Sequence, residues 1–179
     1  VRLENASRSW AIANDATYGW DVTRHQNDRR GTWSQVRATL VKSARFPDPD
    51  QDQGQHQWNF RIVPDASVLE AVAAGQQINL GEREVSGAPV DAPFSVSGAV
   101  VESVALAPDR SGDLVIRLYE AEGGPSRVTF RAPKAGSVTA CDLRYRPSES
   151  EPELRGGQGE WSFDLSAFQI TTLRVSFAK

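Results

Sequence analysis

The sequence predicts an all-β fold, an antiparallel β-sandwich of two packed sheets with one short peripheral helix. Apolar and polar residues alternate at period two along most of the chain, the pattern of strands with one covered and one wet face. Clusters of Gly, Pro, Asp and Ser break the alternation about every ten residues, which suits hairpins. The tally of roughly a dozen short strands, with a single helical segment among them, favours stacked sheets over a βαβ plan.

The 179 residues fit one domain, 1–179, and a chain of this size buries about 70% of its unfolded surface, so packing alone can hold it together. No second core, internal repeat or interdomain linker is expected. Val36, Ala38 and Leu40 share one strand phase, as do Trp58, Phe60 and Ile62. The helix follows: Asp65 is the expected N-cap, Val68, Leu69 and Val72 form its apolar stripe, and Gly75 is its expected stop. Val104 with Leu106, and Val128 with Phe130, mark further strands. Between them Leu114, Ile116 and Leu118 point one way while Val115, Arg117 and Tyr119 point the other, which predicts a strand deep in a sheet.

Turns are expected at Asp109-Arg110-Ser111-Gly112, Glu122-Gly123-Gly124-Pro125 and Pro133-Lys134-Ala135-Gly136. Phe46 to Gln57 and Arg146 to Gly159 read as loops, rich in Pro, Gly and polar side chains. Near the end, Phe168 and Ile170 are out of phase with Leu173, Val175 and Phe177, so a β-bulge or bend is expected at Thr171 or Thr172.

A net charge of −3 with basic residues scattered along the chain argues against nucleic acid as a partner. Apolar runs are shorter than the ~20 residues a spanning helix needs, so no membrane association is expected. Cys141 is the one cysteine, so no internal disulfide can form; a reducing compartment is allowed and the cytoplasm is the expected location. The chain opens Val1-Arg2-Leu3 and holds no methionine, and is therefore expected to be a processed or excised piece.

Autonomous catalysis finds little support. The only histidines are His25 and His56, no G-x-S-x-G elbow occurs, and Cys141 lies in the strand-like run Val138 to Leu143, where a small cysteine packs as a hydrophobe. Neither H-E-x-x-H nor C-x-x-C is present, so no metal is expected within this chain. Asp48-Pro49-Asp50-Gln51-Asp52-Gln53-Gly54 begins like a calcium loop, but Gln53 stands where the turn glycine belongs and Asn59 where the bidentate glutamate belongs. Gly156-Gly157-Gln158-Gly159 lacks a following Lys-Ser/Thr pair and reads as a hairpin tip. Asn5-Ala6-Ser7 has the form of a glycosylation acceptor, relevant only in a secretory compartment. Of the five tryptophans, Trp10 and Trp58 share the phase of apolar neighbours and are expected in the core. Trp20 and Trp33 lie near turns and are candidates for exposure, and Trp161 fits either place.

Four ordered segments carry a resemblance. Trp10 to Val22, with Asn14-Asp15 and Tyr18-Gly19-Trp20, resembles the "apolar-Asn-Asp-x-x-Tyr-Gly-aromatic" segment of glycoside hydrolase family 38, the α-mannosidases. Phe46-Pro47-Asp48-Pro49 followed by Gly54-Gln55-His56-Gln57-Trp58 is similar to that family's "aromatic-Pro-Asp-Pro" loop and Gly-x-His-x-aromatic segment. Phe94 to Gly98, then Val100-Val101, and Leu106 to Arg117-Leu118-Tyr119-Glu120-Ala121 resemble its C-terminal hairpin; Phe168 to Val175 resembles its closing strand.

The resemblance implies the C-terminal β domain of a retaining, zinc-dependent α-mannosidase. In that chemistry one carboxylate attacks the anomeric carbon and another protonates the leaving oxygen. Those residues, and zinc ligands including a His-x-Asp pair absent from this sequence, belong to the family's N-terminal catalytic domain. This chain alone is then expected to be inactive and free of cofactor, with zinc in the missing domain. Its expected partners are that domain and, at the cleft, the mannoside substrate. Asn14, Asp15, Tyr18, Asp50, Gln53 and His56 match segments that could reach the cleft rim, although the same residue types also simply build turns. Gln53 and Gln55 stand where the family often has Arg and Glu, and Ala167 and Gln169 where Pro and Glu are usual. The alternative reading is a free-standing carbohydrate-binding module.

Overall fold

The computed structural model describes residues 1–5, 7–81 and 84–177. The chain divides into two compact units, Val1–Glu84 and Val85–Lys179. The boundary opens the exposed run 84–93, which carries Gly87, Pro89 and Pro93 and no strand or helix.

The first unit contains β1 (Arg2–Glu4), β2 (Ser9–Asn14), β3 (Trp20–Asn27), β4 (Gly31–Ala38), β5 (Phe60–Pro64) and α1 (Val68–Asn79). Strands β1, β2 and β5 form one antiparallel sheet and β3–β4 a hairpin. Helix α1 packs on β2 and β5, where buried Ala11, Ala13, Ala66 and Ala74 leave room for close approach. That placement reverses the expected facing: Trp10 is 42% exposed, and Phe60 and Ile62 are exposed too, because they lie on the alternate face of the same strands. Trp58 is half-buried rather than core, and so are Trp20 and Trp33.

The helix starts and stops later than expected. Asp65 adopts φ 53°, and the N-cap is Ser67, whose hydroxyl accepts from the Glu70 N–H at 3.2 Å while the Glu70 carboxylate accepts from the Ser67 N–H at 2.8 Å. This is a capping box, and it satisfies two of the orphan amides together. Gly75 lies inside the helix, which runs on to Asn79; one glycine costs only about 1 kcal/mol against alanine.

The second unit contains β6 (Ser95–Ser97), β7 (Val100–Leu106), β8 (Leu114–Tyr119), β9 (Ser126–Arg131), β10 (Ala135–Cys141), β11 (Arg155–Gly157), β12 (Glu160–Leu165) and β13 (Ile170–Phe177). They form two four-stranded antiparallel sheets, ordered β10-β13-β8-β7 and β11-β12-β9-β6. The core comes from the four central strands: Ile116 and Leu118 of β8 and Leu173 and Val175 of β13 on one sheet, Val128 and Phe130 of β9 and Trp161, Phe163 and Leu165 of β12 on the other. Phe130 lies 5.6 Å from Phe94 and 6.3 Å from Trp161, ring centre to ring centre. The β8 expectation holds, since the strand is flanked on both sides. Val104 and Leu106 of β7, an edge strand, are exposed.

The three expected turns connect β7–β8, β8–β9 and β9–β10. The glycine-rich run is a hairpin tip between β11 and β12, with Gln158 at φ 52° and Gly159 at φ 94° as its two central residues, the pair of left-handed positions a tight hairpin needs. Gly98 requires its glycine more directly: it has φ 82°, and an added Cβ would collide with the Arg127 carbonyl. No bulge occurs at Thr171 or Thr172, because β13 pairs with β8 in unbroken register from Ile170–Tyr119 to Val175–Leu114. The phase change belongs instead to the chain's arrival: Phe168 has φ 57°, and Phe168 and Ile170 are exposed before the strand becomes buried. The register shifts lie between Val101 and Ser103 and between Ala135 and Ser137. Cys141 is buried and reduced, as its strand context implies, and burial pushes its thiol pKa up.

Two polar clamps tie turns to the sandwich. Glu120 is 2% exposed, and its carboxylate accepts from the N–H groups of Glu122 (2.6 Å), Gly123 (2.9 Å) and Phe168 (2.9 Å). Those bonds, led by the one from Phe168, hold its pKa below the usual carboxylate range. Arg174 reaches from β13 to Asp113 through Nε (2.6 Å) and to Asp109 through Nη2 (2.6 Å), both in or beside the β7–β8 turn, and Ser176 donates to Asp113 at 2.7 Å.

Phe130→Ala, which empties a fully enclosed ring site, is expected to cost about 3–5 kcal/mol, while Leu106→Ala at a 69% exposed position stays within about 0.5 kcal/mol. Urea titration followed by tryptophan fluorescence measures both, and equal losses would contradict this core.

Hydrogen bonds from Ser111 and Arg174 lower the Asp109 pKa to about 2. A carboxylate depressed in the folded state contributes stability that is complete above the unfolded value of about 3.9, and that contribution is lost as pH falls through the folded value. The melting temperature should therefore drop between about pH 4 and about pH 2, and Arg174→Met should lower it at neutral pH while flattening that acid-side slope.

Candidate functional site

Strands β2 and β5 end together, with Asn14 opposite Phe60, and two loops leave from that end. One runs from Asn14 to Gly19, the other from Thr39 to Asn59. Asn14 closes its own turn by donating from Nδ2 to the Thr17 carbonyl at 2.6 Å, and its carbonyl accepts from Nδ2 of Asn79, at the end of α1, at 3.0 Å. The helix thus holds the start of the loop.

Asp15 crosses to the other loop. Its carboxylate accepts from the Asn59 backbone N–H at 3.0 Å and from the Asn59 amide at 2.6 Å, and these bonds, the backbone one first, lower its pKa. Thr17 is buried and its hydroxyl donates to the Thr39 carbonyl, while the Thr39 N–H donates to the Gly19 carbonyl at 2.8 Å. The turn is therefore pinned on both sides of Tyr18, whose ring is 97% exposed.

The second loop is held by local bonds. Asp48 Oδ1 accepts from the Asp50 N–H at 3.0 Å, the Asp50 carbonyl accepts from the Gln53 N–H at 3.3 Å, and Asp52 Oδ2 accepts from the Ser43 N–H at 3.0 Å. His56 Nε2 lies 2.9 Å from the Asp52 carbonyl, which can only accept, so that nitrogen carries the proton; the ring stacks on Trp58 at 5.4 Å. Of the six residues expected at a rim, Asn14 and Asp15 are engaged in holding the loops, His56 is engaged with Asp52 and Trp58, and Tyr18, Asp50 and Gln53 lie exposed.

Asn59 and Asn79 are the partners that sequence reading missed. An Asx residue directly before a strand, as Asn59 is before β5, was the available local signal; Asn79 gave none, because the helix was expected to stop at Gly75. The side chains at this end offer amide and carboxylate groups suited to bonding hydroxyls. Among the described residues, no group of three or more His, Cys, Asp or Glu side chains is placed to hold a metal ion. Among them too, no helix is long and apolar enough to cross a membrane.

Removing the Asn59 side chain by Asn59→Ala should raise the Asp15 pKa toward the ordinary value of about 3.9, read by carboxyl NMR titration. An unchanged titration would show that the bond between the loops does not form in solution.

Residues 98–173 match the family model of the glycosyl hydrolases family 38 C-terminal beta sandwich domain. The matched span runs from the glycine before β7 into β13, wholly within the second unit. The six rim candidates lie in the first unit, outside the matched span. No curated protein matches the chain.

Proposed function

We propose that this chain is the non-catalytic C-terminal β part of a retaining, zinc-dependent α-mannosidase, and that it packs on a catalytic domain preceding it in the same polypeptide. The observation that carries the reading is the match of residues 98–173 to the family 38 C-terminal β-sandwich domain. Residues quoted for the family resemblance have structural work there: Glu120 of the Arg117–Ala121 run and Arg174 of the closing strand form the two clamps. A scaffold needs rigid turns, and these bonds supply them.

In this reading the nucleophilic carboxylate and the general acid come from the catalytic domain. Zinc has no fit among the described residues, which gather no ligand set for it, and its ligands are assigned to that same domain. The contribution of this chain is to brace the domain and to present the loops at the end of β2 and β5 toward the cleft rim. Tyr18 offers a fully exposed ring and hydroxyl, and Asp50 and Gln53 offer exposed polar ends, to the hydroxyls of a mannoside beyond the reacting bond.

Co-expression with the catalytic part should restore α-mannosidase turnover that neither piece shows alone. Absence of any restored activity, or cleavage of nitrophenyl α-mannoside by these 179 residues unaided, would overturn the reading. In the reassembled enzyme Tyr18→Ala should raise KM by about two- to tenfold with little change in kcat, the signature of a lost hydrogen bond equally strong in ground and transition states.

A further inference from the structure

We infer that the cleft between the β1–β2 strands and the β3–β4 hairpin in the first unit binds an anionic saccharide. The inference is independent of the scaffold role. The cleft measures about 610 Å³, inside the ~300–1,000 Å³ range of small-molecule sites. Arg8, Trp10, Arg24, Thr32, Trp33 and Ser34 line it.

Its walls carry donors without acceptors. The guanidinium groups of Arg8 and Arg24 have no ion-pair or hydrogen-bond partner among the described residues. Arg8 is set on the wall by Asn5, whose Oδ1 accepts from the Ser7 and Arg8 N–H groups at 2.9 and 2.8 Å. Glu4 also lines the cleft, but Arg2 pairs with it at 2.9 Å. Two positive charges therefore remain uncompensated, on a chain whose net charge is −3.

These features specify the ligand's chemistry. Two guanidinium groups call for a carboxylate or phosphate with several acceptor oxygens. Trp10, 42% exposed on the sheet face opposite the helix, offers a flat apolar surface to the C–H face of a pyranose. Thr32 and Ser34 share one side of the hairpin with Arg24, which pairs with Ser34, and they offer hydroxyls to ring hydroxyls. A sugar bearing an acidic group meets all three demands, whereas a neutral sugar leaves the arginines unused and a plain aromatic acid leaves the hydroxyls unused.

Isothermal titration of the whole chain with glucuronate, glucose 6-phosphate, glucose and benzoate tests this. Saturable binding in the low millimolar range is expected for at least one acidic sugar, with glucose and benzoate roughly tenfold weaker. The tighter of glucuronate and glucose 6-phosphate identifies the acidic group as carboxylate or phosphate. Arg24→Gln and Arg8→Gln should each weaken binding by about tenfold, while Arg131→Gln in the second unit leaves it unchanged. Raising the salt from about 50 to about 500 mM should weaken it in the unmodified chain as well, a readout that needs no variant. Binding of glucose or benzoate as tight as the acidic sugars, insensitivity to both arginine substitutions and to salt, or no saturation up to roughly 50 mM would overturn the inference.

Discussion

Everything recognisable in the second unit depends on one contact: the inner faces of two four-stranded sheets closing on each other through their central strands. Phe130 and Phe163 on one side and Ile116, Leu118 and Leu173 on the other are almost wholly removed from water, each such side chain worth about 1.5–3 kcal/mol in transfer terms. Flanking strands contribute less because they lie at the edges: β7 exposes Val104 and Leu106, and β6 and β11 span only three residues each. Short edges also limit unwanted strand pairing.

Polar bonds then fix what the hydrophobic contact leaves free. Burial of the central strands sets which faces meet but not how the connecting turns lie. Glu120 resolves this at one point by gathering three backbone N–H groups from two separate turns, and Arg174 resolves it at another by joining β13 to Asp109 and Asp113. Both are charged groups held by several directed hydrogen bonds, so substitutions that keep charge but change reach, such as Arg174→Lys, lose the forked geometry.

How much of this could be read from the chain follows from the same division. The alternation of Leu114, Ile116 and Leu118 was legible because β8 is flanked on both sides and its inward phase is uninterrupted. In the first unit alternation was equally visible, yet it pointed the wrong way: period two says that β2 has two faces, not which one is covered. The small face, Ala11 and Ala13, received the helix, and Trp10 was left on the other. The helix start was mistaken because Asp65 and Ser67 are both capping types; only Ser67 has a glutamate three residues on to complete a capping box. The bulge expected at Thr171 came from a phase change that actually marks where the chain enters β13 after a left-handed Phe168. For the candidate site, the motif residues were legible but their joining was not, since Asp15 and Asn59 are 44 residues apart and nothing local announces the bond.

Burial constrains the sandwich, whereas local hydrogen bonds constrain the loop from Asp48 to His56. Inside the sandwich, alternation is enforced by burial, because moving one residue to the wrong face exposes a whole set of side chains. In the loop from Asp48 to His56 the shape is held by Asp48, Asp52 and Ser43 together with main-chain groups, and Gln53 takes part only through its backbone N–H. The Gln53 side chain is thus free of any duty to the fold. Its amide is exposed, so a substitution there costs the loop none of its own bonds.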